Sequence, residues 1–228
     1  MAGRKPGDEK GPAKIVIVDD HPIVREGLAE LINTKPDLAV CGEADNAADA
    51  LSVIEKTRPD VAIVDLALKD SDGLDLIKDV RVRFPKVSIL VLSMRDETFY
   101  AERVLRAGAQ GYITKEEATA NVIEGIRKVL SGGVYMSQNM AAKMLGRLLP
   151  GRRDTGSTPV ERLTDRELQV LELVGTGLTT TEAAGRLHLS VKTIESYRER
   201  IKEKLGLDSA SDLLKFAIKW VHRKQGMI

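Results

Sequence analysis

The stretch VAIVDLALKDSDG, residues 61–73, contains a short apolar run that ends at an aspartate and continues into a polar turn. The run VAIVDL (61–66) is apolar almost throughout, which is typical of a strand buried on both faces of a parallel sheet. Asp65 closes this strand, and the following aspartates and Gly73 have the composition of a turn. The stretch therefore predicts a buried strand with a carboxylate at its carboxyl end.

Four further apolar runs and five amphipathic segments alternate with this strand. The other strand-like runs are IVIVDD (15–20), LAVCGEA (38–44), SILVLS (88–93) and GYIT (111–114). The helix-like segments are Ile23–Asn33, Ala47–Lys56, Leu74–Arg83, Thr98–Ala107 and Ala120–Leu130. Right-handed crossovers between successive strands leave few topologies. The pattern predicts a flavodoxin-like (βα)5 domain over residues 14–131, with a parallel five-stranded sheet and helices on both faces.

The rest of the chain is predicted to be a polar tail, a linker and a small helical domain. Residues 1–13 are polar, and residues 132–159 are predicted as a linker with a short helix over Gln138–Leu149. The end of that linker, PGRRDTGSTP, has the composition of a loop and contains Arg152 and Arg153. Residues 160–228 are predicted to form an all-α four-helix domain. Its helices are Asp165–Gly175, Thr180–Leu187, Val191–Leu205 and Ser209–His222.

Composition excludes several classes of protein. Hydrophobic residues make up 43% and charged residues 30%, which is ordinary for a globular protein. Apolar runs are too short to cross a bilayer, and the N-terminus lacks the apolar region of a secretory signal, so we expect a cytoplasmic protein. Cys41 is the only cysteine, which excludes an internal disulfide. His21, His188 and His222 share no metal-ligand spacing, and we expect each to be structural.

Three aspartates lie at strand ends that a parallel sheet brings together. Asp19 and Asp20 close the first strand and Asp65 closes the third. Ligands of open α/β sheets bind at the carboxyl ends of the strands, where the strand order reverses. Neighbouring carboxylates repel one another, and a hard cation such as Mg²⁺ compensates that repulsion. The three positions therefore predict a Mg²⁺ site.

Two further strand ends supply groups that suit a phosphoryl ligand. Lys115 closes the fifth strand and carries a point charge, and Ser93 closes the fourth strand and carries a hydroxyl. A carboxylate nucleophile, a divalent ion, an ammonium and a hydroxyl in one crevice are the parts needed to accept a phosphoryl group.

The motifs VDD, VDLALKDSDG, LSM and GYITK resemble the response-regulator receiver family over residues 14–131. The resemblance implies that Asp65 is the phosphoacceptor and that Asp20 binds Mg²⁺ directly, with support from Asp19. It also implies that the Ala67 carbonyl is a further ligand. One position departs from many relatives, because Lys69 stands where they have proline; this change affects loop stiffness rather than chemistry.

The same resemblance implies a switch around the fourth and fifth strands. Ser93 corresponds to the hydroxyl that follows the phosphoryl group, and Lys115 to its ion-pair partner. Tyr112, three residues before Lys115, stands where the family has a rotating aromatic switch.

The C-terminal domain carries a helix-turn-helix pattern. Thr164 and Glu167 form a capping box, and the small residues Ala183–Gly185 permit a crossing helix to approach closely. Ser190 is a good N-cap for the second helix. We predict that its buried stripe consists of Val191, Ile194, Tyr197 or Arg198, Ile201 and Leu205, which leaves the other face for DNA.

Residues 160–224 resemble the LuxR/FixJ-type helix-turn-helix domain, on the motifs LTDRELQVL and VKTIESYRERIKEKLGL. Such a domain places its second helix in the major groove. Glu195 and Ser196 are candidates for base edges, and the basic residues for phosphates. The complete candidate set for DNA contact is Ser190, Lys192, Thr193, Glu195, Ser196, Arg198, Glu199, Arg200 and Lys202.

Together the two resemblances predict a two-component response regulator of the NarL/FixJ/LuxR type. Its expected partners are a sensor histidine kinase, double-stranded promoter DNA and a second copy of the chain, and no membrane is expected. It is expected to act as a regulator and not as an enzyme. One alternative is a constitutive DNA-binding protein whose receiver only dimerises. A second is a phosphatase of the haloacid dehalogenase type, against which Ala67 argues, because such enzymes have aspartate there.

Overall fold

The computed structural model describes residues 11–68, 71–148 and 159–224, and the chain divides after Leu148 into two compact units. The strands of the N-terminal unit are β1 (Ala13–Val18), β2 (Leu38–Ala44), β3 (Val61–Val64), β4 (Ala67–Leu68), β5 (Ser71–Asp72), β6 (Ser88–Ser93) and β7 (Gly111–Thr114). Its helices are α1 (Pro22–Asn33), α2 (Ala47–Thr57), α3 (Gly73–Arg83), α4 (Glu97–Ala107), α5 (Ala118–Leu130) and α6 (Gln138–Leu148). Most of the predicted tail, Lys69, Asp70, Arg152 and Arg153 lie outside the described residues.

Five strands form one parallel sheet in the order β2-β1-β3-β6-β7. The chain runs from β1 to β2 in one direction and then continues from β3 on the other side of β1, so the order reverses between β1 and β3. This is the flavodoxin-like order, and it confirms the predicted fold class. The reversal also places the carboxyl ends of β1 and β3 side by side, because these two strands pair directly.

Both faces of the sheet are covered by helices. Ile15, Ile17 and Ile63 share one apolar cluster with buried residues of α1 and α5, including Ile32 and Ile126. Successive strand residues point to opposite faces. Val16 and Val18, which alternate with the isoleucines of β1, are also fully buried, so the other face is covered as well. Helices α2 and α3 contact each other, as do α3 and α4. Burial on both faces explains why the strands are continuous apolar runs.

A small hairpin that was not predicted follows β3. Ala67 pairs with Asp72 across the antiparallel strands β4 and β5. Asp72 also caps α3, because its side chain accepts a hydrogen bond from Leu74 N (3.0 Å). Gly73 packs beneath the start of this hairpin, where an added Cβ would lie 2.1 Å from the carbonyl oxygen of Asp65. The glycine is therefore required by close backbone approach and not by an unusual backbone angle.

The segment that we predict as a linker begins against the sheet edge. Tyr135 forms an isolated parallel bridge with Gly111 of β7. Helix α6 follows and contacts α4, and Met140 in its first turn is 3% exposed. The ends that we predict for the linker, residues 132 and 159, remain a prediction.

The C-terminal unit is helical. After a short 3-10 helix at Pro159–Arg162 come α7 (Asp165–Gly175), α8 (Thr180–Leu187), α9 (Val191–Leu205) and α10 (Ala210–Lys224). The bounds of α7, α8 and α9 are those predicted. The last helix begins one residue later than predicted because Ser209 precedes it as a cap and accepts a hydrogen bond from Asp212 N (3.1 Å).

Two details of the predicted helix packing are wrong. Val191 was assigned to the buried stripe of α9, but it is 41% exposed, because it is the first residue of the helix and extends past the neighbouring helices. Gly185 was expected to allow close approach, yet nothing lies within 4 Å of its would-be Cβ. The buried small residues of α8 are Ala183 and Ala184.

Among the residues described, neither unit contains a helix long and apolar enough to pass through a bilayer.

Two helical glycines of the C-terminal unit should respond to alanine in opposite ways. A Cβ at Gly175 would lie 2.5 Å from the backbone oxygen of Ala217 in α10, so we expect Gly175→Ala to lower the free energy of unfolding by about 1–3 kcal/mol. Gly185→Ala meets open space and should raise that free energy by roughly 0.5–1 kcal/mol. Urea denaturation of the full chain measures both, and equal effects of the two substitutions would contradict the packing described here.

Candidate functional site

Four side chains converge at the reversal point of the sheet. Asp19, Asp20 and His21 follow β1, Asp65 follows β3, and one ligand atom from each of the four lies within 4.8 Å of the others. Asp65 is held beside β1 by its backbone N, which donates to Val18 O (2.8 Å). Asp19 and Asp65 are each only 2% exposed. The structure thus brings together the three aspartates that the sequence analysis assigned to one crevice.

Lys115 reaches into this cluster from the end of β7. Its Nζ lies 2.6 Å from Asp65 Oδ2 and 2.6 Å from Asp19 Oδ2. Burial by itself would lower the pKa of Lys115, but the hydrogen bonds to Asp19 and Asp65 outweigh burial and hold that pKa above its ordinary value. The ammonium therefore stays charged and compensates two buried carboxylates.

His21 lies beside the aspartates of this cluster, and our expectation that it is structural stays a prediction. Its Nδ1 lies 3.2 Å from Asp19 Oδ1 and 2.7 Å from Asp20 Oδ1, and its backbone N donates to Asp19 Oδ1 (2.9 Å). The ring is 62% exposed, so it stands at the mouth of the cluster. The search for metal-ligand spacing among the histidines did not single out this residue. Its position immediately after the Asp19–Asp20 pair would have indicated that it lies near the cluster.

Asp20 carries an oxygen whose hydrogen-bonding capacity is unused among the described residues. Its Oδ1 is buried and accepts no hydrogen bond, although His21 Nδ1 is close. A buried carboxylate oxygen without a donor is costly unless a cation or a donor comes to it. Asp65 Oδ1, in contrast, accepts from Ala67 N (3.1 Å) at the start of the hairpin. The assignment of the Ala67 carbonyl as a ligand stays a prediction.

Ser93 and Tyr112 both hold the loop between β6 and α4. Ser93 Oγ is fully buried and accepts from Arg95 N (3.3 Å), and the Tyr112 hydroxyl donates to Arg95 O (2.5 Å). Tyr112 is 1% exposed, and burial raises the pKa of its phenol, so the hydroxyl remains a donor. Lys115 N donates to Ser93 O (2.9 Å), which ties this loop to the acidic cluster.

The segment after α5 is bonded to the same strand that carries Tyr112. Tyr112 N donates to Tyr135 O (2.8 Å), and Tyr135 N donates to Gln110 O (2.9 Å). Further on, Ser137 N donates to Glu97 Oε1 (2.9 Å) in the first turn of α4. Sequence reasoning did not find these contacts, because nothing local in the segment indicates that it pairs with β7.

A second candidate site lies in the C-terminal unit, where α8, a tight turn and α9 follow one another. His188 ends α8 in the left-handed conformation (φ 53°). Ser190 then caps α9: its Oγ accepts from Thr193 N (3.0 Å) and lies 2.7 Å from Thr193 Oγ1. The predicted turn and N-cap are therefore present.

The candidate DNA contacts on α9 differ in exposure. The exposed ones are Ser190, Lys192, Glu195, Ser196, Glu199 and Arg200. The half-buried ones are Thr193, Arg198 and Lys202. All three already have partners: Thr193 Oγ1 lies 2.7 Å from Ser190 Oγ, Arg198 Nη1 donates to Thr180 Oγ1 (3.3 Å), and Lys202 Nζ lies 2.9 Å from Glu199 Oε2. The exposed group forms the more accessible surface for a ligand.

Comparison with known proteins connects both sites to one family. Residues 15–127 match the family "Response regulator receiver domain", and residues 161–217 match "Bacterial regulatory proteins, luxR family". Over 210 residues the chain is 34% identical to the oxygen regulatory protein NreC of Staphylococcus aureus (strain JH9), a match that covers 90% of this chain and 97% of NreC. The chain is a response regulator with a LuxR-type DNA-binding domain.

Solved structures agree with this assignment. The response regulator RcsB of Salmonella typhimurium matches 92% of this chain, with 98% of RcsB covered, at 27% identity and a TM-score of 0.70. RcsB from Salmonella enterica serovar Typhimurium, bound to promoter rprA in the presence of phosphomimetic BeF3-, matches 90% of this chain and 98% of RcsB at 28% identity and a TM-score of 0.67. A LuxR-family response regulator from Aurantimonas sp. SI85-9A1 is 34% identical over 60% of this chain and 98% of its own, with a TM-score of 0.56.

Removing the ammonium of this response regulator should destabilise its N-terminal unit. In metal-free buffer at pH 7, Lys115→Met leaves Asp19 and Asp65 buried without a compensating charge, which is expected to lower the free energy of unfolding by about 3–5 kcal/mol. The control is Lys86→Met, which removes an exposed lysine and should change that free energy by no more than about 0.5 kcal/mol. Chemical denaturation followed by circular dichroism makes the comparison, and similar effects of the two substitutions would refute the role of Lys115.

Proposed function

We propose that this response regulator is a transcription factor that a sensor histidine kinase switches by transferring a phosphoryl group to Asp65. One observation carries the proposal. Where the strand order of the sheet reverses, Lys115 Nζ lies 2.6 Å from a carboxylate oxygen of Asp65 and 2.6 Å from one of Asp19. A buried carboxylate in contact with an ammonium is a nucleophile next to a charge that can stabilise a phosphate.

The transfer itself needs little from the protein beyond positioning. A carboxylate oxygen of Asp65 attacks the phosphorus of a phosphohistidine, an O–P bond forms, and the P–N bond breaks as the imidazole leaves with its electron pair. Lys115 neutralises charge on the equatorial phosphoryl oxygens, which is where charge spreads in such transition states.

The acidic cluster suits Mg²⁺. Asp19, Asp20 and Asp65 would hold the ion, with the Ala67 carbonyl as a further ligand. The fit is supported by Asp20 Oδ1, which is buried and accepts no hydrogen bond from the described residues. Carboxylate oxygens are the ligands that Mg²⁺ prefers, and it commonly retains sites for phosphate oxygens. When bound, the ion supplies positive charge against the phosphoryl oxygens.

We propose that the switch runs through the β6–α4 loop. A phosphoryl group on Asp65 attracts the Ser93 hydroxyl, which then releases Arg95 N, and Tyr112 shares that loop through Arg95 O. Tyr112 N also donates a hydrogen bond to Tyr135 O. A shift of β7 would therefore be passed to the start of the linker through this single hydrogen bond. Phosphorylation would in this way bias one of two arrangements of the loop and linker.

The output is binding of double-stranded promoter DNA through α9. The exposed side chains of α9 can reach base edges and phosphates, as in other helix-turn-helix proteins. The proposal is supported by RcsB, which has been solved on promoter DNA and as two dimers bound to two parallel DNAs. We therefore propose that this chain also binds DNA as a homodimer.

Asp65→Asn should abolish the phosphorylation-dependent switch. Acetyl phosphate is expected to label the wild-type chain and to tighten its binding by about tenfold to a duplex that the phosphorylated chain selects from a random library. Asp65→Asn should accept no label and show no tightening. The control, Asp75→Asn, removes a carboxylate that is 43% exposed on α3 and should behave like the wild type. Phosphate-affinity gels and fluorescence anisotropy provide the two measurements.

Other outcomes of the same experiment identify the alternatives. Sequence-selective DNA binding without any labelling would support a constitutive DNA-binding protein. Steady release of phosphate from a small phosphomonoester would support a phosphatase. Labelling of Asp65→Asn would exclude Asp65 as the acceptor.

Removing one carboxylate should weaken the metal site. Asp20→Asn is expected to reduce Mg²⁺ affinity by at least roughly tenfold, the lower limit for changes around metal ligands. Asp45→Asn is the matched control, because Asp45 is an exposed carboxylate directly after β2 at the same edge of the sheet. Isothermal titration calorimetry with Mg²⁺ measures both, and an absence of binding heat in the wild type would overturn the proposed site.

A further inference from the structure

Two helices of the C-terminal unit begin with the same capping motif in different surroundings. In α7, Thr164 N donates to Glu167 Oε2 (2.7 Å) and Thr164 Oγ1 accepts from Glu167 N (3.4 Å). In α8, Thr179 N donates to Glu182 Oε2 (2.8 Å) and Thr179 Oγ1 accepts from Glu182 N (3.3 Å). Glu182 is exposed, as a capping residue usually is, whereas Glu167 is 2% exposed.

The buried glutamate has a partner that capping does not require. Lys204 Nζ, in the last turn of α9, donates to Glu167 Oε2 at 2.6 Å, and Lys204 is 36% exposed. Burial by itself would raise the pKa of Glu167, but the hydrogen bonds from Lys204 and Thr164 outweigh burial and lower that pKa below its ordinary value. The contact is therefore a charge-assisted hydrogen bond between the start of α7 and the end of α9.

Two isoleucines form the buried centre of the apolar packing of α9. Only Ile194 and Ile201 are fully buried among its residues. Burial of apolar surface is not directional, so a narrow stripe opposes rolling or sliding of a helix less than a hydrogen bond of defined geometry does. Lys204 lies roughly 12 Å along the helix from Ser196, at a rise of about 1.5 Å per residue. A pivot at that end displaces the exposed side chains near the other end.

We propose that Glu167 is a positioning residue for DNA recognition: through Lys204 it sets the orientation of α9, and with it the side chains that read bases. This inference rests on the proposed DNA-binding function and assigns a determinant of its specificity. It separates two tasks within one residue. The capping of α7 uses the hydrogen bond to Thr164, and the setting of α9 uses the bond to Lys204.

Glu167→Gln keeps an oxygen that can accept from Thr164 N, because glutamine also serves in a capping box, and it removes the negative charge that faces Lys204 Nζ. The full chain, treated with beryllofluoride, is titrated with the duplex that the wild type selects from a random library and with a shuffled duplex of equal composition. Glu167→Gln should lower the ratio of the two affinities about tenfold, which corresponds to the loss of one good base contact. Affinity for the shuffled duplex and its salt dependence should not change.

Matched variants separate positioning from folding. Glu182→Gln makes the same chemical change in the exposed box and should leave the affinity ratio within about twofold of wild type, since surface changes rarely have larger effects. Lys204→Arg keeps the charged donor and should keep the ratio. Lys204→Met should lower the ratio as Glu167→Gln does, and the double variant should lose no more than either single one, because both remove one interaction.

Three outcomes would overturn the inference. The first is an unchanged ratio in Glu167→Gln, as in Glu182→Gln. The second is equal weakening of both duplexes by Lys204→Met with a salt slope reduced by about one, which would make Lys204 a phosphate contact. The third concerns the case in which Glu167→Gln does not fold. Lys204→Met, which removes a partly exposed side chain, then serves as the test, and an unchanged affinity ratio in that variant refutes the inference. Failure of the wild type to select any duplex would instead refute DNA binding itself.

Discussion

Two carboxylates that share one ammonium are the constraint on which the N-terminal unit depends. Asp19 and Asp65 end neighbouring strands, are almost completely buried, and each lies 2.6 Å from Lys115 Nζ. A parallel sheet whose order reverses between β1 and β3 forces these carboxylates together, and their repulsion must be compensated. The lysine compensates part of it, and among the described residues Asp20 Oδ1 is buried and accepts no hydrogen bond, although His21 Nδ1 lies 2.7 Å away. A site built to balance charge in this way responds strongly when a phosphoryl group adds negative charge.

The contacts around this cluster explain how a structural change in the pocket can be transmitted to neighbouring elements. Ser93 and Tyr112 each bond to Arg95 by a different atom, and Tyr112 also holds Tyr135 through its backbone. The β6–α4 loop, β7 and the first residues after α5 are therefore joined directly by hydrogen bonds. Packed elements joined in this way tend to switch between discrete arrangements instead of deforming gradually. Ser93 belongs both to the proposed phosphoryl site and to the contacts that lead away from it.

The C-terminal unit shows how one local motif can acquire different roles. Glu167 and Glu182 occupy the same position in two capping boxes, and both have a lowered pKa. For Glu182 the hydrogen bond from the Thr179 side chain is the main cause of that lowering, and for Glu167 the bonds from Lys204 and Thr164 must first offset burial. The difference arises only because α9 crosses the start of α7. Tertiary packing has converted one of two equivalent caps into a contact with the recognition helix.

The sequence by itself determined the five strands of the parallel sheet, most helix bounds, the caps of α7 and α9, and the strand-end positions of Asp19, Asp65, Ser93 and Lys115. These features depend on apolar periodicity and on residues a few positions apart, so local patterns predict them. Only the tertiary structure decided that Lys115 bridges two carboxylates, that Tyr135 pairs with β7, and that Glu167 binds Lys204. The partners in the first and last contacts are 50 and 37 positions apart, and their geometry depends on how whole elements pack. Val191 and Gly185 were misjudged for the same reason, because the exposure and neighbours of a side chain are properties of the assembled fold.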